Sequence, residues 1–131
     1  MVAGDSNVPV EVNIIDLNFG RVSGRIGVYL LETETGPVLI EVGPASTFES
    51  LQQGLDAHGY QVSDLSGVFV THIHLDHAGS WGWLAEQGCR IHVHEFGAAH
   101  LADPTRLMSS VRRIYGQQTD TLWGEVKPVP E

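Results

Sequence analysis

The sequence predicts an α/β (α+β) fold, and three observations carry that prediction. Apolar runs of strand length recur along the chain, turn-forming residues stand between them, and one helical segment with a one-sided apolar face separates two of the runs. The order strand 38–42, helix 46–58, strand 67–71 is that of a βαβ unit. Such a unit places two strands parallel in one sheet, so a mixed sheet flanked by helices is expected.

The elements follow in order. Residues 10–17 (Val-Glu-Val-Asn-Ile-Ile-Asp-Leu) alternate loosely and read as a strand. Gly20–Gly27 carries three glycines and reads as a turn or mobile loop. Ile26–Glu32 and Val38–Val42 form a strand pair joined by Thr33-Glu34-Thr35-Gly36, a hairpin signal. Gly43-Pro44 breaks the second strand, and Ser46 or Thr47 is positioned to cap a helix running to about His58. Phe48, Leu51 and Leu55 lie on its apolar face, and Gly59 stops it. Gly67–Thr71 is the next strand, Trp81–Gln87 a short helix ended by Gly88, and Arg90–His94 another strand. Glu95–Leu101 reads as a helical turn, and Pro104 opens a helix to Tyr115. In that helix Leu107, Met108, Val111, Ile114 and Tyr115 recur at helical spacing, which points to a core-facing stripe. Residues 125–131 form an extended, Pro-interrupted tail.

Composition excludes several function classes. The net charge is −9, with one lysine (Lys127) and six arginines scattered apart from Arg112-Arg113. A phosphate-backbone ligand calls for clustered cations, so no nucleic-acid partner is expected. No apolar run approaches the ~20 residues needed to span a bilayer, and no membrane association is expected. The N-terminal Met1–Pro9 is polar and lacks a basic start, unlike a secretory signal. The one cysteine, Cys89, rules out an internal disulfide and fits a reducing, cytoplasmic location. It reads as a small filler before a strand. No Gly-X-Ser-X-Gly elbow and no phosphate-cradling glycine loop occurs.

The chemistry concentrates in Thr71-His72-Ile73-His74-Leu75-Asp76-His77-Ala78-Gly79. Three imidazoles and a carboxylate, all good ligands for a zinc-type divalent metal, fall within six positions directly after the apolar run Gly67–Val70. In extended chain His72, His74 and Asp76 share one face, while Ile73 and Leu75 anchor the other. Asp76 and His77 can serve one site only if the chain turns, and Ala78-Gly79-Ser80 permits a turn there. Two histidines could hold one metal and the Asp–His pair a second. Among the remaining histidines, His92 and His94 alternate along an expected strand and so would share a face, His94 or His100 could line a pocket, and His58 suits the end of a helix.

The segment resembles the His-X-His-X-Asp-His signature of the metallo-β-lactamase fold superfamily, in the form common in its glyoxalase II-like hydrolases. Val38-Leu39-Ile40-Glu41-Val42-Gly43-Pro44 resembles the strand and turn before the first long helix of that fold, with Glu41 where Asp is usual. The stretch from His94 to Gly124 resembles uncharacterised metallo-hydrolases of the same superfamily. The resemblance implies a four-layer αββα sandwich. It implies that His72 and His74 bind one metal, that Asp76 and His77 bind a second, and that Glu41 and, more weakly, His94 support the ligands from behind. Two zinc ions per complete site are expected, with iron or manganese as alternatives. The family pattern calls for further ligands: a histidine in a Gly-His turn, a bridging Asp and a late histidine. No histidine follows residue 100. Residues 1–131 are therefore expected to be the N-terminal part of the domain, as a truncated chain or a natural half-protein.

The expected function is a metal-dependent hydrolase. A histidine-held zinc lowers the pKa of its water to about 7 and so provides hydroxide for attack on a small ester, thioester or related substrate. Asp76 is the expected catalytic residue, orienting the water or carrying its proton. The competing reading is a non-catalytic metal-binding or interaction fragment. The expected partners are a small-molecule substrate and, through an uncovered sheet face, a second copy of the chain.

Overall fold

The computed structural model describes residues 11–130 and is a five-stranded mixed sheet with helices packed on one face. The strands β1 (Glu11–Asp16), β2 (Gly27–Thr33), β3 (Gly36–Ile40), β4 (Gly67–Phe69) and β5 (Ile91–His92) lie side by side in sequence order. β1, β2 and β3 are antiparallel neighbours, while β4 runs parallel to β3 and β5 parallel to β4. The helix α1 (Phe48–Ala57) connects β3 to β4, which is the βαβ unit read from the sequence. The expected start of the first strand at Val10 and the reading of Met1–Pro9 lie outside the described residues.

Alternation along the strands decides which side faces the core. Ile15, Val28, Leu30, Leu39 and Val68 point to the helical side and are buried. There they meet Leu51 and Leu55 of α1 and Trp81 and Leu84 of α3 (Trp81–Glu86), all fully buried. The helix packs so closely on β1 that a Cβ on Gly54 would come within 2.3 Å of Ile15 Cγ2. The opposite sheet face holds the row Ile14–Tyr29–Ile40–Phe69–His92. Ile14 and Tyr29 are 69% and 44% exposed, so this face is apolar without being covered by any described residue.

Several local expectations are corrected. Thr47 precedes α1 but does not cap it with its side chain, because its hydroxyl donates to the Pro44 carbonyl at 3.0 Å. The strand expected at 90–94 is only Ile91–His92; His94 instead caps α4 (Glu95–Ala102), its Nδ1 accepting from Phe96 N at 3.2 Å. His92 and His94 therefore do not share a strand face, and the His92 ring stacks on Phe69 at 4.6 Å. The helix α5 (Thr105–Tyr115) forms as expected, yet none of its residues is buried and Ile114 is 76% exposed. Of its apolar stripe only Leu107 packs against the core. A short helix, α6 (Thr119–Trp123), follows it and was not foreseen. The tail beyond it runs across α3, where Trp81 Nε1 donates to the Lys127 carbonyl and Trp83 Nε1 to that of Glu125, each at 2.8 Å.

A candidate metal centre at the ends of two parallel strands

The motif lies where β3 and β4 end, the C-terminal edge at which parallel strands commonly present functional groups. Val70 is buried and its N–H donates to the His92 carbonyl at 2.9 Å, so the chain enters the motif on a fixed track. His72 and His74 then project from extended backbone. The turn comes earlier than the sequence suggested. Leu75–Ala78 is already a helical turn, α2, with His74 at its N-cap position. It turns before Asp76, not after His77, and Leu75 and Ala78 anchor it in the core. Helical spacing here, rather than strand alternation, carries Asp76 and His77 round toward the first two histidines.

The three imidazoles converge. The His72 ring lies 4.8 Å from that of His74 and 4.0 Å from that of His77, centroid to centroid. Asp76 Oδ2 is 3.3 Å from His77 Nε2. The backs of two rings are tied: Thr71 Oγ1 lies 2.8 Å from His72 Nδ1, and His77 Nδ1 hydrogen-bonds Glu41 Oε2. An ionised carboxylate only accepts, so His77 Nδ1 carries the proton in that bond and Nε2 keeps a lone pair directed at the cluster.

Glu41 is the centre of this arrangement. Its second oxygen accepts from Thr71 N at 2.7 Å, so one buried carboxylate joins the loop after β4 to the helical turn α2. Its backbone is left-handed, with φ 68, a conformation that costs a non-glycine residue about 1–2 kcal/mol. The surroundings enforce it: Glu41 N donates to the Phe69 carbonyl, and Val42 N and Gly43 N both donate to the His77 carbonyl. Gly43 also has positive φ, and a Cβ there would come within 2.1 Å of Leu17 Cδ1. A strained acidic residue held this firmly beside a histidine cluster is a feature of functional sites.

Glu41, His72 and His77 each offer a ligand atom within 4.8 Å of the others. His74 and Asp76 stand at the rim of this group through the ring contact and the carboxylate contact above. Three imidazoles and two carboxylates in this space fit a borderline divalent ion such as zinc. Because the Glu41 oxygen nearest His77 is already bonded to its Nδ1, Glu41 is better placed to orient that ring than to replace it on a metal. His94 makes its hydrogen bond to its own helix rather than to a motif histidine.

Two hollows flank the cluster. One, of about 280 Å³, is lined by His72, Ile73, Val93, His94, Phe96 and His100. The other, of about 270 Å³, lies between the motif residues His74, Leu75 and Asp76 and the side chains of Leu107, Val111, Tyr115 and Trp123. A larger depression of about 410 Å³ sits beside α1 among Glu49, Gln52, Gln53 and Asp56, away from the motif. The sequence did not reveal the role of Thr71 as donor to Glu41, nor that α5 and α6 face the motif. The first rests on a main-chain N–H, which residue identity does not mark. The second had a signal in the Leu107–Val111–Tyr115 spacing, which looks the same for a core stripe and a cleft wall.

Comparison with known proteins identifies the family and the fold. The family model described as the metallo-beta-lactamase superfamily matches residues 25–117. An N-acyl homoserine lactonase from Bacillus cereus is 33% identical over 94 residues, covering 54% of this chain and 38% of the relative. Among solved structures, a metallo-beta-lactamase from Legionella gormanii superposes with a TM-score of 0.62 at 16% identity, covering 90% of this chain and 41% of that one. A beta-lactamase from Chitinophaga pinensis gives 0.60 at 26% identity, covering 74% and 35%. The chain thus spans less than half the length of these relatives.

Proposed function

The chain belongs to the metallo-beta-lactamase superfamily, and we propose that it is the N-terminal, ligand-bearing part of a zinc-dependent hydrolase of small esters, thioesters or lactones. The observation that carries this reading is the convergence of His72, His74 and His77, with His77 held from behind by Glu41. The name of the Bacillus cereus relative supports a lactone, which is a cyclic ester, within that class. Two zinc ions would supply Lewis acidity and a water whose pKa is lowered to about 7.

The chain's own groups have distinct parts. His72 and His74 would hold one ion, and Asp76 and His77 would hold the other. Glu41 fixes the tautomer of His77 by accepting its Nδ1 proton. Asp76, 3.3 Å from His77 Nε2, orients the attacking water and takes its proton at a carboxylate oxygen. Among the described residues no helix is long and apolar enough to cross a membrane. The buried free thiol of Cys89 supports a cytoplasmic location.

Native mass spectrometry of the protein from its source, with a panel of ester, thioester and lactone substrates run on the same preparation, tests the reading. The expected result is a chain well above 14.3 kDa with one or two zinc-mass ions, hydrolysing part of the panel, and losing metal and turnover when His72→Ala and His74→Ala are combined. Metal uptake without hydrolysis of any substrate would replace it with a non-catalytic metal-binding module. A metal-free chain of 14.3 kDa would end the enzyme assignment.

A further inference from the structure

We infer that the cleft between α2 and the pair α5–α6 seats a linear apolar acyl group, with Leu107, Val111, Tyr115 and Trp123 as the side chains that select it. Calling that group part of a substrate rests on the hydrolase reading; the preference for an apolar chain rests on the cleft walls alone.

The wall is built for this. Leu107, Val111 and Tyr115 are spaced four apart and form one line along α5, opposite His74 and Asp76. From first to last the line rises about 12 Å, a strip suited to an extended chain rather than to a compact ring. No residue of α5 is fully buried; of this apolar line Leu107 also touches the core, while Val111 and Tyr115 face the cleft. Trp123 closes the far side and is itself fixed. Its ring stacks on Phe19 at 5.4 Å and meets Tyr115 edge-on at 5.5 Å. Fixed aromatic walls lose little freedom when a ligand enters, so burial of the ligand is not spent on ordering the wall. Water against such a surface is readily displaced by hydrocarbon. The hollow on the other side of the cluster also has apolar walls, in Ile73, Val93 and Phe96, but its lining includes no line of apolar side chains along one helix, and it serves as the control in the test below.

The test uses neutral amides, which avoid both metal ligation and charge: hexanamide against acetamide, titrated into the 131-residue chain and followed by NMR at the Leu107 and Val111 methyls and the Trp123 indole N–H. Each methylene buried tightens binding about fourfold, so partial burial of the chain should favour hexanamide at least tenfold. Val111→Trp should fill the cleft and remove the preference. Leu107→Ala, at a half-buried position that tolerates truncation, should shift the preference toward octanamide. Equal affinity for the two amides would overturn the inference. So would shifts centred on Val93 and Phe96, or on Ile14 and Tyr29 of the open sheet face. The two readings fail separately: equal affinity for the amides removes the cleft whatever the metal content, whereas the hydrolase reading falls only when the protein from its source carries no metal and the preference persists.

Discussion

Replacing Glu41 by Gln isolates the electrostatic part of what this residue does. The side chain keeps its shape, and its amide oxygen can still accept from Thr71 N, where the wild-type distance is 2.7 Å. What changes is the group facing His77 Nδ1. A carboxylate accepts a proton there, whereas the amide NH2 donates one. His77 is then driven to the tautomer with its proton on Nε2, the nitrogen that faces Asp76 and the cluster. Loss of such a supporting partner costs about 10–100-fold in metal affinity, or about 1.4–2.8 kcal/mol. Folding of the metal-free chain should change by no more than about 1 kcal/mol, because the hydrogen-bond count is preserved. Glu41→Ala removes both bonds, keeps the left-handed backbone strain, and should cost about 1.5–3 kcal/mol of folding stability. Zinc affinity is read by competition with a chromophoric chelator, the tautomer by histidine ¹⁵N shifts, and stability by urea unfolding. Equal zinc affinities for wild type and Glu41→Gln, or a wild-type His77 protonated on Nε2, would refute this account of Glu41.

Two further predictions follow from the core and the sheet. Burial pushes the Cys89 thiol up to about 11, and its Sγ–H donates to the Val62 carbonyl at 3.2 Å. The folded chain thus binds the proton more tightly than the unfolded one. The resulting stability is complete below pH 9 and is lost as pH rises toward 11. Urea midpoints should fall across that window less steeply in Cys89→Ala, and the native thiol should resist a disulfide reagent at pH 8; rapid labelling of the native chain would contradict the burial. The uncovered row Ile14–Tyr29–Ile40–Phe69 should make the 131-residue chain self-associate. Sedimentation should show dimers or larger species that Ile14→Lys with Tyr29→Glu disperses, and a monomer at high concentration would count against it.

The local sequence determined a good deal. Strand and helix periods placed β1 to β4 and α1 within a few residues, because each of these elements buries one face and its apolar spacing records that face. The four ligand-type side chains after β4 were legible because metal chemistry restricts residue type and leaves the cluster in one stretch of chain. Tertiary structure decided the rest. Whether residues 74–78 turn as strand or helix depended on Leu75 and Ala78 finding the core, which residue spacing does not encode. The hydrogen bond from His77 to Glu41 joins positions 36 apart, and the left-handed backbone of Glu41 is imposed by partners from β4 and α2. The line Leu107–Val111–Tyr115 carries the same pattern whether it meets a core or a cleft. Only the docking of α5 and α6 beside the motif settled which, because an apolar stripe specifies that it avoids water but not what it packs against.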